Sequence, residues 1–252
     1  MGNSPFGVRL WRLLSHRRPT VNSSVEQMRA VLAYEMDVPG AELAAVVKGS
    51  AAPSPNLVRK LAPALGIHTA DLFVIAGLPV PDDLVSAWPT SPWDVGSILQ
   101  HAIRMNADQR SQLEALVRSL PVQPRPGPAP TDDYPDTPGA LLLRLLRNRN
   151  IRPYNAKVLM AVGGGPYVSD STVAGLGPGR VVITPQYVTA FAHLLGYQPG
   201  DVVALTGVGP VVEDAQVHPA SVQIAALAWR ARRLTSEQLK EVMEAARTIR
   251  HA

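Results

Sequence analysis

Apolar residues recur along the chain at helical spacing, without the strict alternation typical of half-buried strands. Residues 141–148 illustrate the pattern, because four leucines form one apolar face and arginines lie on its flanks. Polar caps, prolines and glycines separate such runs and mark helix ends. The pattern predicts an all-α chain with two groups of five short helices. Their predicted bounds are 8–16, 24–34, 39–48, 55–65 and 69–76 in the first group, and 141–148, 156–162, 170–176, 185–195 and 200–206 in the second.

Two further segments, 94–120 and 220–249, each predict a helical hairpin with an apolar stripe. A hairpin buries its apolar face only against another element. Packing of each hairpin on its own five-helix group is one alternative. Pairing of the two hairpins, within one chain or between two chains, is the other.

The second half of the chain repeats the first. Residues 55–80 and 185–210 share seven identities at a shift of 130, and residues 7–14 align with 139–146 at a shift of 132. The shared proline suits the first turn of a helix, and the shared Leu-Gly suits a left-handed helix end. Residues 105–109 and 234–238 share a helix-start pattern, a polar cap followed by an acidic residue. We infer a tandem duplication.

The duplication predicts five segments. They are a first five-helix domain over 6–80, a helical hairpin over 81–120, a Pro-rich linker over 121–137, a second five-helix domain over 138–210 and a C-terminal helical hairpin over 211–252. The linker composition favours an extended polyproline-type spacer, which would span on the order of 50 Å at about 3.1 Å per residue. An ordered strap laid over one domain is the alternative.

Residues 168–180 (VSDSTVAGLGPGR) have the pattern of a tight turn, a short helix and a glycine stop, and residues 38–50 (VPGAELAAVVKGS) occupy the same place in the first copy. With the later Pro…Leu-Gly…Asp pattern, this order resembles the DNA-binding domain of the Cro/C1-type (Xre-like) repressors over about 70 residues of each copy. The layout also resembles tandem Xre-like regulators of actinomycetes. The resemblance implies an all-α fold of two tandem five-helix Cro/C1-like helix-turn-helix domains, each followed by a helical hairpin.

A helix-turn-helix domain inserts its recognition helix into the major groove. The resemblance therefore places Ser169, Ser171 and Thr172 at base edges, where hydroxyls donate or accept hydrogen bonds. A purely capping role for Ser169 is the alternative. The expected contacts with the DNA backbone are Arg149, Arg152, Asn155, Lys157 and Arg180 in the second domain, and Arg17, Arg18, Gln27 and Lys48 in the first.

The first copy carries few hydrogen-bond donors where its recognition helix should begin, since Gly40, Ala41, Glu42 and Ala45 stand there. The first copy either recognises DNA bases weakly or is retained only for packing. The second copy is expected to be the better reader. Formal charge agrees, because residues 138–210 carry +4 and residues 1–80 carry +3, while residues 81–137 carry −4. A basic segment favours an anionic partner such as nucleic acid.

Composition excludes several other classes of protein. The chain of 252 residues has no cysteine, so disulfides and thiolate metal sites are excluded. Its six histidines are scattered, and no HExxH, Walker A, nucleophile-elbow or dinucleotide motif occurs. We therefore expect no enzyme activity, metal or cofactor. No apolar run reaches the roughly 20 residues of a membrane span, and no secretion signal is evident. A cytoplasmic, nucleoid-associated protein is expected.

The sequence thus predicts a sequence-specific transcriptional regulator that binds double-stranded DNA. Self-association through the helical hairpins is expected, either as a homodimer or as an intrachain pseudo-dimer, because helix-turn-helix proteins usually read two half-sites. The alternative is a protein–protein interaction or scaffold regulator on a degenerate helix-turn-helix fold. The donor-poor first copy and the apolar hairpins favour that alternative.

Overall fold

Helices account for all the regular secondary structure in the described part of the chain, as the apolar pattern predicts. A computed structural model describes residues 5–17, 24–123, 131–153 and 155–251. Within these residues it contains fourteen helices and no strand. The helices are α1 (Pro5–His16), α2 (Val25–Glu35), α3 (Gly40–Val47), α4 (Pro55–Ala64), α5 (Thr69–Ile75), α6 (Val95–Ala102), α7 (Ala107–Ser119), α8 (Pro138–Arg147), α9 (Ala156–Gly163), α10 (Asp170–Ala174), α11 (Pro185–Leu195), α12 (Pro199–Thr206), α13 (Ser221–Ala231) and α14 (Ser236–His251).

Every predicted helix is present, and most ends agree within about three residues. The agreement follows from local capping chemistry. Asn106 and Gln109 form the expected capping box at the start of α7. Gly66 and Gly196 follow α4 and α11 with φ of 56° and 79°, a left-handed conformation that glycine adopts without steric cost. The third helix of the second copy, α10, is two residues shorter than predicted because Gly175 already forms its C-cap.

The first of two compact units consists of residues 1–84 together with 200–208. It contains α1 to α5 and most of α12. Its core contains fully buried leucines and two phenylalanines, among them Leu13, Leu43, Leu61, Phe6 and Phe73. Helix α1 packs on α2 and α3, and α4 packs on α5. Burial of such side chains supplies the main stabilising free energy of a helical unit.

The second unit consists of residues 85–199 and 209–252. Helices α6 and α7 of the first hairpin pack against α13 and α14 of the second. The structure therefore has the hairpins paired within one chain, one of the two alternatives left open by the sequence. Helix α13 also packs on α9 and α11 of its own five-helix group, so the second hairpin shows both alternatives. The contacts thus group the predicted segments differently from their order, because residues 85–120 join the second repeat and residues 200–208 join the first.

The described end of the Pro-rich linker is an ordered strap on α8. The carboxylate of Asp132 accepts hydrogen bonds from Arg144, with Nη2 at 2.8 Å, and pairs with Nη1 of Arg147 at 2.9 Å. The ring of Tyr134 lies against Gly177, where an added Cβ would come within 2.5 Å of its Cε2. Residues 131–137 therefore follow the alternative of an ordered strap laid over one domain, and not that of an extended spacer. Residues 124–130 of that spacer lie outside the described part of the chain.

The Asp132 carboxyl of the strap has a lowered pKa. Burial raises the pKa of the Asp132 carboxyl, but the hydrogen bonds from Arg144 and from the Tyr134 N–H and the charge of Arg147 outweigh burial, so its pKa lies below 3.8. The ionised carboxylate therefore stabilises the folded unit.

The two copies inferred from the sequence share one close backbone contact. An added Cβ on Gly7 would lie 2.6 Å from the carbonyl oxygen of Val46, near the end of α3. An added Cβ on Gly139 would lie 2.5 Å from the carbonyl oxygen of Leu176, just after α10. The first helix of each copy thus approaches the end of the third helix at a distance that only glycine permits.

Candidate nucleic-acid interface

Helices α9 and α10 form the candidate helix-turn-helix, and the carboxylate of Asp170 joins their N-terminal ends. Its Oδ1 accepts a hydrogen bond from the N–H of Ala156 at 2.9 Å. Asn155, the residue before α9, makes no side-chain cap of its own. Asp170 therefore supplies an acceptor for an otherwise orphan donor in the first turn of α9.

A cluster of three hydroxyls stands at the start of α10. The Oγ of Ser169 lies 2.9 Å from the Oγ of Ser171 and 2.8 Å from the Oγ1 of Thr172. Ser169 and Ser171 are exposed, and Thr172 is half-buried. The Oγ of Ser169 also accepts the backbone N–H of Thr172, so its capping role is confirmed. Contact of the three hydroxyls with base edges stays a prediction.

Two exposed cations flank this hydroxyl cluster. Lys157 lies in the first turn of α9, one residue after the N–H that Asp170 binds. Arg180 follows the turn after α10, which is held by a hydrogen bond from the N–H of Val181 to the carbonyl of Gly175 at 3.1 Å. Both side chains are exposed, so both remain candidates for contact with phosphate.

Arg149, which was predicted to contact the DNA backbone, is buried in the structure. Its side chain is 0% exposed. The guanidinium donates to the carbonyl of Leu145 at 3.1 Å and to that of Leu195, at the end of α11, at 2.8 Å. It also lies over the ring of Trp229, with Cζ 5.2 Å from the centroid. A phosphate cannot reach this group, so the prediction that Arg149 contacts the DNA backbone is wrong for this structure.

Arg152 and Asn155 are bound to the residues that precede α6. The backbone N–H of Arg152 and the Nδ2 of Asn155 each donate to Oδ2 of Asp94 at 2.8 Å. The Arg152 guanidinium donates to the carbonyl of Thr90 at 2.6 Å. The Oδ1 of Asn155 accepts from Gln100. These groups are engaged inside the second unit, and contact of either residue with the DNA backbone stays a prediction.

Asp94 is a residue that sequence reasoning missed. Its Oδ1 caps α6 through the N–H of Ser97 at 3.0 Å, and its Oδ2 holds Arg152 and Asn155, about sixty positions away. The cap could be predicted from the sequence because Asp is a favoured N-cap residue. The second role carries no local signal.

The predicted contacts in the first copy differ in their availability. Arg17 is engaged, because its Nε and Nη2 pair with the carboxylate of Asp201 and its Nη1 donates to the carbonyl of Leu65. Gln27 closes a capping box with Ser24 at the start of α2. Among the predicted contacts of the first copy that the structure describes, only Lys48, after α3, is an exposed cation with no such role. Arg18 lies outside the described residues. Glu42 accepts from Ser54 at 3.2 Å.

The arginines after the first helix of each copy donate equivalent hydrogen bonds. Arg17 and Arg149 occupy equivalent positions at the shift of 132, and their acceptors Leu65 and Leu195 are equivalent at the shift of 130. Each arginine donates to a carbonyl at the end of the fourth helix, where carbonyls lack intrahelical partners. The sequence signal is the repeated position of the arginine. The repeated contact gives both arginines a structural role.

Neither a metal site nor a membrane span is found in the described ranges. No group of three or more histidine and acidic side chains there could hold a metal ion. None of the fourteen helices is long and apolar enough to cross a bilayer.

Comparison with known proteins gives no further identification. The chain matches no protein-family model, no curated protein and no solved structure. The resemblance to Cro/C1-type domains therefore rests on helix order and on the quoted sequence, and it stays a prediction.

Proposed function

We propose that the protein is a regulator that binds double-stranded DNA. In this proposal α9 and α10 of the second copy form the helix-turn-helix that contacts the bases. The observation that carries the proposal is the exposed hydroxyl cluster at the start of α10, flanked by Lys157 and Arg180. Hydroxyls can serve as donors or acceptors at base edges in the major groove. Lys157, in the first turn of α9, and Arg180, after α10, would hold the phosphate backbone.

The one acidic residue of α10 does not oppose this arrangement strongly. A carboxylate at the start of a recognition helix repels phosphate unless it accepts a hydrogen bond from cytosine. The Oδ1 of Asp170 instead faces the N-terminus of α9, where the N–H of Ala156 and the helix dipole offset its charge. The proposal therefore gives Asp170 a positioning role between the two helices.

The proposed contacts are few, so binding should be weak and only moderately dependent on salt. Two phosphate contacts give a slope of about −1.8 in a plot of log affinity against log salt. The test is fluorescence anisotropy with duplexes from the protein's own genomic neighbourhood, between about 50 and 200 mM salt.

Three variants separate the proposed roles. Lys157→Ala and Arg180→Ala should each weaken binding to all duplexes and reduce the salt slope by about 1. Ser171→Ala should reduce discrimination between duplexes and leave the slope unchanged. Lys240→Ala, which removes an exposed lysine of α14, is the matched control and should bind as wild type. Absence of binding at 50 mM salt, or wild-type binding by the Lys157→Ala/Arg180→Ala double variant, would refute the proposal.

A second candidate function is protein–protein interaction through the same region. Tyr167 and Val182, on the segments either side of α10, are 82% and 80% exposed. Exposed apolar side chains of this kind suit a protein partner. If the Lys157→Ala/Arg180→Ala variant keeps its regulatory activity in cells while Tyr167→Ser/Val182→Ser loses it, the partner of this surface is a protein.

A further inference from the structure

A groove in the second unit combines an apolar floor with a cationic rim. It has a volume of about 330 Å³ and lies between the end of α7, the residues after it and the end of α13. Val117 and Leu234 are buried in its floor, and Leu120 and Val122 form an apolar wall. The volume is at the lower end of the range of small-molecule sites.

The wall of the groove is fixed in position. The buried Gln238 donates from Nε2 to the carbonyl of Pro121 at 2.8 Å, which anchors the chain as it leaves α7. This hydrogen bond holds the backbone of Pro121 beside the groove without a ligand, and such preorganisation lowers the entropic cost of binding.

The rim carries an excess of positive charge. Arg118, Arg230 and Arg233 line the groove. The first two share one carboxylate oxygen, Oε1 of Glu114. Arg233 makes no hydrogen bond or ion pair with any other described residue. Three guanidiniums and one carboxylate leave two positive charges beside an apolar floor, which complements a ligand with an apolar body and an anionic end.

We propose that this groove binds a small organic carboxylate with an apolar chain, held by Arg233 at the rim and by Val117 and Leu234 on the floor. The carboxylate forms charge-assisted hydrogen bonds with the guanidinium of Arg233, and the chain replaces water over the apolar floor. The site is independent of the proposed DNA contacts.

The test uses three probes and the full chain. Octanoate supplies both features of the ligand, acetate supplies the carboxylate alone, and octanamide supplies the apolar chain alone. Binding is followed by calorimetry and by methyl NMR, where the methyl groups of Val117, Leu120 and Leu234 report the location. Octanoate should bind saturably, with a dissociation constant of about 1 mM or lower. Acetate and octanamide should bind at least tenfold more weakly.

Variants at exposed or half-buried positions separate loss of binding from loss of fold. Arg233→Ala should weaken octanoate binding about tenfold, and Val122→Ser about threefold. Lys240→Ala removes the same charge outside the groove and should bind within about twofold of wild type. The proposal is overturned if octanoate moves none of the three sets of methyl groups, if acetate or octanamide binds equally well, or if a folded Arg233→Ala variant binds octanoate as wild type does.

Discussion

Arg149 offers the sharpest test of the distinction between structural arginines and arginines proposed to bind DNA. We consider Arg149→Met, which keeps an unbranched apolar stem and removes the guanidinium. The change leaves the carbonyls of Leu145 and Leu195 without the donors that now lie 3.1 and 2.8 Å away. Because the site is fully buried, water cannot easily replace those donors.

The magnitude follows from the contacts. Each buried carbonyl left without a partner costs about 1–3 kcal/mol, and loss of the stacking on Trp229 adds about 1 kcal/mol. Relief of the desolvation of a buried cation offsets part of that cost. We expect a net decrease of about 3 kcal/mol in the free energy of unfolding. That is a large share of the roughly 5–15 kcal/mol that stabilises an ordinary domain.

The assay is urea unfolding, followed by far-UV circular dichroism and by tryptophan fluorescence. Arg180→Met is the matched control, because Arg180 is exposed and its loss should change stability by less than about 0.5 kcal/mol. The two variants should therefore differ in which property is lost. Arg149→Met should be less stable, and Arg180→Met should bind DNA more weakly.

Two results would contradict this reasoning. One is an Arg149→Met protein whose unfolding free energy lies within about 0.5 kcal/mol of wild type. The other is a folded Arg149→Met protein with a salt slope for DNA binding reduced by about 1, which would restore Arg149 as a phosphate contact.

Three further predictions address the strap, the duplicated close approach and the paired hairpins. Asp132→Asn should lower the free energy of unfolding by about 1 kcal/mol at pH 7. Because the pKa of Asp132 is depressed in the folded state, this difference should be lost as the pH falls from the ordinary value of 3.8 through the folded-state pKa. Urea unfolding at several pH values measures the difference. Gly139→Ala should cost about 2 kcal/mol, since its Cβ would meet the carbonyl of Leu176, and an unchanged melting temperature would contradict the close approach. Leu239→Asp should unfold the hairpin pair, because Leu239 is fully buried within this chain, and a wild-type circular dichroism melt would refute that packing.

The sequence determined the helices well because their ends depend on neighbouring residues. The capping box of Asn106 and Gln109 and the glycine after α11 are local signals, and both appear as expected. Pairing of the two hairpins could only be left as one of two alternatives. An apolar stripe on α6 shows that a partner surface is needed, and it does not specify which surface that is.

The candidate site was predicted less completely, for the same physical reason. Ser169, Ser171, Lys157 and Arg180 remain exposed, as their positions in the repeat implied. The inward position of Arg149 depends on the carbonyl of Leu195 at the end of α11, almost fifty residues further along the chain. The residues tied to Asp94 likewise depend on a partner that comes before the linker. Charge type predicts a DNA contact only where the side chain is free to reach solvent.

The pairing of the hairpins has a consequence for dissection of the chain. The apolar faces of α6 and α7, which precede the linker, are covered by α13 and α14, which follow it. A protease site engineered into residues 124–130 would cut one covalent connection and leave that interface intact. The two halves should remain associated after cleavage and should separate only under denaturing conditions. Expressed alone, either half would carry the exposed apolar stripe of its hairpin and tend to aggregate. Co-expression of the halves is then a fragment-complementation system, in which recovery of a folded complex reports the strength of the hairpin pair.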